Sequence, residues 1–447
     1  MTAVVDGSST TTRAVRRKPV RRSAALLALA LGLGLVLPAL PAVAAPANAW
    51  SSPSGGSGNA LHNAGEATIT PGNAGRVARA WTVTAANASG GQRPTVVGDV
   101  VYYLHRYHSS TDPSTLVAAS TRTGARLWQV TLSRPNDLFF LDGVTVSGKL
   151  ALVSYQQPRG AGAGLIAVDT TTRRIAWTSA VAANSAQSYA WSTHQVYADA
   201  TRAYVYLSDH TLSAYRLTDG KLQWTVRLDD RQGVGIALGS GVLYVGYGGG
   251  RIPGITAFDA ATGRRLWTGP GQGTPVVAGD RVLSSTGASL VALKAGGCGA
   301  STCPALWTRS FPSGTDLTVG AADGTSVHVT YRKPAPANPY GDRYAGVIAR
   351  LSVASGAQQW STTLGDYSTP AVRGGNVVWV INEYRTQAGV LSSRILGFTA
   401  TGTSTSALVS LPAQQRGFPQ TLTVGGGTLL NETNVPQQLI GYRVPGT

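Results

Sequence analysis

The sequence predicts an all-β protein, an eight-bladed β-propeller of four-stranded antiparallel blades, its last blade closed by a strand from the N-terminus. Three observations predict it. A tryptophan phrase returns with near-constant spacing, strand-length apolar runs show no helical period, and the two chain ends each carry part of one repeat.

The phrase is clearest from Ala257 to Trp267, Ala-Phe-Asp-Ala-Ala-Thr-Gly-Arg-Arg-Leu-Trp. Related phrases end at Trp128, Trp177, Trp224, Trp307 and Trp360, and Trp81 closes a bare copy. Successive tryptophans lie 47, 49, 47, 43, 40 and 53 residues apart. A period of this size marks a solenoid or a propeller. Helical solenoids need a 3.6-residue apolar period in each unit. Here short Val, Ala, Leu and Tyr runs alternate with Gly, Asp and Asn, which is strand-and-turn composition.

Residues 273–311 serve as the type unit. Thr274–Val277, Arg281–Ser285 and Leu290–Leu293 read as strands separated by turns at Gly279-Asp280 and 286–289, and a fourth strand falls around Leu306–Arg309. The first unit repeats the plan with Thr95–Val97, Val100–Tyr103, Leu116–Ala119 and Arg126–Thr131. A seventh unit runs from about Ser368 to Leu411 with a degraded phrase and Ser406 at the expected tryptophan position. The C-terminus holds three strands, Gln420–Val424, Thr428–Asn431 and Leu439–Val444, and the N-terminus one, Ala80–Thr84. Joined, they complete an eighth blade and remove exposed sheet edges. Seven blades is the main rival count.

The phrase has a physical logic. Thr-Gly pairs such as Thr262-Gly263 suit a hairpin in which Gly takes positive φ. Tryptophan four residues later opens the outermost strand. There its ring can cover a neighbouring turn and its indole N–H can reach a carbonyl. Arg173 replaces that Gly in the unit ending at Trp177, so this turn is expected to differ or to be strained.

Residues 1–49 read as a secretory signal and processing region, and 50–447 as one propeller domain. Arg13, Arg16, Arg17, Lys18, Arg21 and Arg22 precede the apolar stretch Ala24–Leu37, which is short for a membrane span. Pro38 and Pro41 follow, then the small-x-small sites Ala42-Val43-Ala44 and Ala47-Asn48-Ala49. A secreted chain is expected, with no membrane span after cleavage. Arg21-Arg22 leaves the export route open between the general and twin-arginine pathways. The formal net charge is +17, of which six basic residues and Asp6 lie in the leader. The other arginines are dispersed, which argues against nucleic acid and for adhesion to anionic cell-wall polymers. Cys298 and Cys303 are the two cysteines and should pair in an exported chain.

The Ala-x-Asp-x-x-Thr-Gly-x-x-x-Trp phrase resembles the tryptophan-docking repeat of quinoproteins, the PQQ-like β-propellers. Ala257–Trp267 matches every defined position, and Ala167–Trp177 keeps Ala, Asp169, Thr172 and Trp. Ala214–Trp224 and Ala118–Trp128 keep Ala, Gly and Trp. Residues 63–66 up to Trp81, and the Cys298–Cys303 loop, look like those of secreted actinobacterial PQQ-binding-like repeat proteins. The resemblance implies docking roles for Trp81, Trp128, Trp177, Trp224, Trp267, Trp307 and Trp360. It implies two kinds of function: alcohol or glucose dehydrogenases that hold pyrroloquinoline quinone (PQQ) and calcium, and non-catalytic scaffolds such as the outer-membrane assembly factor. This chain has no adjacent cysteine pair and no long insertions, and no family calcium ligand or catalytic aspartate maps onto it. The expectation is therefore no catalytic residue and no cofactor, with PQQ and Ca²⁺ as the alternative.

From the residues alone, the weak candidates for a metal are Asp137, Asp229, Asp230, Asp316 and Asp366, which sit in loops facing the channel mouth. Aspartate also simply favours turns. Arg134, Arg231 and Arg309 lie near enough in sequence to neutralise them. Phe139, Phe140, Tyr189, Trp191 and Tyr367 could stack on a flat ligand, or pack in the core. His105 and His108 have His-x-x-His spacing but no third ligand. Gly246–Gly250 reads as a hairpin, because no helix follows to hold an anion. The Pro-rich loop Pro334–Gly341 is a place for a protein partner. A monomer binding a protein or a cell-envelope polymer is the leading expectation, and a PQQ- and Ca²⁺-dependent alcohol or sugar dehydrogenase the alternative.

Overall fold

The computed structural model describes residues 49–84, 93–105, 113–134, 143–156, 162–182, 195–206, 211–228, 233–248, 254–312, 316–335, 344–385, 390–401, 406–413, 420–434 and 437–447. Residues 1–48 lie outside them. The strands form eight sheets, each built on four antiparallel strands. The first seven run in chain order, with inner strands at Thr95–Val97, Thr145–Ser147, Val196–Ala198, Gly233–Gly239, Gln272–Ala278, Thr318–Ala322 and Val372–Gly374. The eighth joins the C-terminal strands Thr421–Gly425, Thr428–Asn434 and Gln437–Arg443 to Ala78–Thr84 from the other end of the chain. Trp81 pairs with Gly441 in that junction, so eight blades closed by the N-terminal strand is the architecture.

Inner strands of successive blades contact one another around the whole circle, the eighth meeting the first. Threonines on some of these strands bridge outward to the next blade. Thr423 donates to Pro94 O at 3.1 Å, Thr95 to Val144 O, and Thr145 to Val196 O at 2.6 Å. The apolar core lies between blades: Tyr102, Leu116, Val153 and Ile166 join the first two, and Leu283, Leu290, Val329 and Ala349 the fifth and sixth. Each middle strand is covered on both faces, so it reads as a near-continuous apolar run such as Ser114–Ser120. Outer strands such as Arg126–Ser133 are covered on one side and alternate.

The tryptophan phrase acts as expected, and its other positions acquire reasons. Nε1 of Trp81 donates to Thr121 O (2.8 Å), Trp177 to Leu217 O (2.8 Å), Trp224 to Ala260 O (3.2 Å) and Trp307 to Val353 O (3.0 Å), each on the following blade. The ring lies on that blade's turn glycine. A Cβ at Gly220 would sit 2.5 Å from Trp177, and one at Gly263 2.8 Å from Trp224. Those glycines also take φ of 70° and 73°, so only glycine meets both demands. The phrase's first alanine stands across the ladder from its own tryptophan, as with Ala214 and Trp224, and Arg350 takes that place opposite Trp360. The phrase's aspartate holds the turn: Asp259 Oδ1 accepts from Thr262 N (2.9 Å) and its hydroxyl (2.7 Å).

Three docking sites vary. Trp267 covers Gly297 in the loop held by the Cys298–Cys303 disulfide; closing that small ring contributes about 2 kcal/mol on the chain-entropy model. Trp360 packs on Phe398. Trp128 stands edge-on to Tyr102, with centroids 5.9 Å apart. The second blade's turn keeps the left-handed conformation with Arg173 at φ 59°. Arg173→Gly is expected to raise unfolding stability by about 1 kcal/mol by removing the Cβ conflict; an unchanged or lowered urea midpoint would refute this. One sequence expectation needs correction. In the seventh blade Val409, not Ser406, occupies the tryptophan position, since it faces Gly397. The step from Gly397 to Val409 is two residues longer than that from Ala257 to Trp267.

Candidate functional site

The two ends of the ring are different. Inner strands run from one mouth to the other, and at their C-terminal ends residues 49–66 run round the mouth as a strap. Ala49 and Trp50 pair with Val97 and Val96 of the first blade. Ser51 O accepts from Val146 N (2.8 Å) of the second. Ser57 Oγ donates to Ala198 O (2.7 Å) of the third, and Ser57 O accepts from Leu238 N (2.7 Å) of the fourth. Gly58 O, Ala60 O and Leu61 O accept from Val277 N (2.9 Å), Ala322 N (2.8 Å) and Arg373 N (2.8 Å) of the next three. Asn63 Nδ2 donates to Val424 O (3.0 Å) of the eighth. The strap therefore satisfies edge groups of all eight inner strands in order.

Glu66 ends the strap. Its carboxylate accepts from Thr68 N (2.8 Å) and from Gly427 N (2.9 Å) of the eighth blade. Beside it a cleft of about 420 Å³ is lined by His62, Glu66, Thr70, Arg373 and Asn376. Arg373 pairs with Asp323 and donates to Gly375 O (2.7 Å). Burial works to raise the Asp323 carboxyl, but donors from Thr325 and Ser326 and the Arg373 charge hold it well below the usual carboxylate range. Burial, then Arg373, lowers His62 to about 4. Burial and Arg373 likewise lower the fully enclosed His328 to about 3.

A pH dependence follows. The unfolded chain protonates His62 near pH 6.5, whereas the native ring does so near 4. Between these values the unfolded state binds more protons, so stability falls as pH falls. At about 1.4 kcal/mol per unit, the loss is on the order of 3 kcal/mol. His62→Gln should remove about 3 kcal/mol of the fall in stability between pH 7 and 4, leaving the part due to His328; a variant profile as steep as the native one would contradict the assignment.

The opposite mouth lies at the N-terminal ends of the inner strands. Asp316 and Asp366 stand there, leading into the sixth and seventh blades. Asp316 forms an ion pair with Arg332, which stacks over Tyr344 (5.2 Å to the ring centroid). The neutralising partner is thus Arg332 of the second strand rather than Arg309, which lies over Phe311 (5.5 Å) and donates to Gly356 O. Asp366 N donates to Glu383 O (2.8 Å), and burial followed by the Asp366 charge raises the Glu383 carboxyl. Arg394 stacks on Tyr384 (4.7 Å) and donates to Asn382 Oδ1 (3.3 Å). Tyr344 and Tyr367 are 39% and 40% exposed.

Asp137, Asp229, Asp230, Arg231, Phe139, Phe140, Tyr189, Trp191 and His108 lie outside the described residues, as do 336–341 of the Pro-rich loop. His105 ends the strand Val100–His105 at this mouth. Gly246 lies in the hairpin that joins Val242–Tyr247 to Ile255–Asp259. Among the described residues, no three His, Cys, Asp or Glu side chains gather about one point, and the Asp316 carboxylate is committed to arginine. No helix among the described residues is long and apolar enough to cross a membrane.

A family model described as outer membrane protein assembly factor BamB matches residues 66–228 and 112–362, well over half of the chain. The chain belongs to this family of PQQ-like repeat propellers. Among solved structures, it is similar to the quinohemoprotein alcohol dehydrogenase of Comamonas testosteroni, at 13% identity and TM-score 0.61, covering 90% of this chain and 81% of that one. A quinohemoprotein alcohol dehydrogenase of Pseudomonas putida HK5 gives 14% identity and 0.60 over the same shares. BamB of Moraxella catarrhalis gives 14% identity and 0.52, covering 82% of this chain and 99% of that one. At these identities the likeness shows the fold. No curated protein sequence matches the chain.

Proposed function

We propose that this chain is an exported, non-catalytic propeller that binds a protein or cell-envelope polymer at its unstrapped mouth. One observation carries the reading. Arg332 and Arg394 each stack on an aromatic ring at the mouth of the sixth and seventh blades, beside exposed Tyr344 and Tyr367. Arginine and tyrosine held in this way are the residues that dominate protein recognition surfaces. The family's description as an assembly factor supports the same reading.

The alternative is a PQQ- and Ca²⁺-dependent dehydrogenase of alcohols or sugars. It draws on the likeness to two alcohol dehydrogenases over 90% of the chain. One experiment separates them. Purified protein is given PQQ and Ca²⁺, then assayed for bound-cofactor absorbance and for dye reduction with alcohols and aldoses. The binding reading expects neither; stoichiometric cofactor with turnover would establish the dehydrogenase.

A further inference from the structure

The docking of each tryptophan on the next blade's turn places those turns at equivalent points around the outer rim, at the strapped end. Three of the turns carry paired arginines: Arg122 and Arg126 on the first blade, Arg173 and Arg174 on the second, Arg264 and Arg265 on the fourth. All six are exposed. None forms an ion pair with a described acid. The third blade's Arg216 and Lys221 are held by Asp219. On the fifth blade the exposed Lys294 stands where Arg216 stands on the third, and the sixth blade's turn at 353–357 carries no basic residue. The arginine pairs therefore lie on the first, second and fourth blades. Leu127, Ile175 and Leu222, 51%, 42% and 55% exposed, lie beside or close to their charges.

We propose that these arginine pairs form a docking surface for a flexible linear phosphodiester polymer, such as an envelope polymer of glycerol-phosphate type. The proposal rests on the binding-propeller reading but concerns a different surface from the mouth. The arginine pairs do not converge on a pocket, so a small anion meets one pair, whereas a repeating anion meets several and gains through multivalency. The guanidinium fork suits phosphate oxygens. Exposed aliphatic side chains between the pairs suit the polymer's uncharged carbon backbone. Bending a stiff duplex around the rim costs elastic energy, a cost that a flexible polymer does not meet.

The test uses the protein from residue 49 onward and a glycerol-phosphate polymer as probe. Affinity is measured against salt for the native protein, for R122Q/R126Q/R174Q/R264Q, and for R134Q/R227Q/K333Q/R385Q. The last loses the same charge at the mouth end. Melting curves confirm that both variants fold. The rim variant is expected to lose at least tenfold in affinity, and its log–log salt slope to shallow by about 3, at about 0.7 per cation for a flexible strand. The mouth variant should move that slope by less than one. Equal losses in both variants would reduce the effect to net charge and overturn the proposal. Loss confined to the mouth variant would overturn the rim assignment while leaving the binding reading intact. Equally tight, rim-dependent binding of duplex DNA, polygalacturonate or phosphatidylglycerol vesicles would overturn the choice of polymer. Failure of the native protein to bind the probe would overturn it outright. The quinone assay decides the parent reading independently.

Discussion

Trp50→Ala is expected to lower unfolding stability by about 3–5 kcal/mol, among the largest effects of any single truncation in this chain. Trp50 is fully enclosed, in a cluster with Val96, Val424 and Trp379. Its backbone also fixes the first step of the strap through the pairing with Val96. Truncation leaves a cavity where the strap, first blade and last blades meet, and that site cannot collapse without moving an inner strand. The measurement is a urea midpoint with its slope. A loss under about 1 kcal/mol would mean that the strap is an ornament on a ring stable without it.

Trp81→Ala should be nearly as costly, at about 3–5 kcal/mol, because it removes a buried indole and a carbonyl's donor together. Its ring lies against Gly441 on its own blade, where a Cβ would stand 2.2 Å away, and over Gly124 on the first. It thus fastens the N-terminal strand to the C-terminal hairpin and the eighth blade to the first. Trp128→Ala supplies the comparison. That ring is half-buried, and its loss is expected to be about 1–3 kcal/mol. Equal losses at the two positions would show that the closing strand has no special part in holding the ring shut.

The architecture was legible because its contacts are written in a repeated local phrase. Alanine opposite the indole, glycine beneath the neighbour's indole and aspartate bracing the turn recur at fixed offsets, so one unit explains the rest. The strap was not legible. Residues 51–58 are mostly Ser and Gly, and they bond through main-chain carbonyls and short hydroxyls that leave no period. Trp50 and the carboxylate of Glu66 are the two side chains that hint at burial there. The mouth was half legible. Asp316 and Asp366 were expected there, but Arg332, Tyr344, Glu383 and Arg394 were not, because their partners come from other strands and blades. The rim arginines looked dispersed because each pair is separated by a whole repeat. Only the ring's geometry converts that period into an arc.

The strap also imposes an order of events on the growing chain. Residues 49–66 are synthesised before every blade they join, yet Asn63 and Glu66 must wait for Val424 and Gly427 of the last one. The strap's first steps can settle as the early blades form, but its end is a late arrival, and contacts spanning 361 residues make ring closure a slow, non-local step.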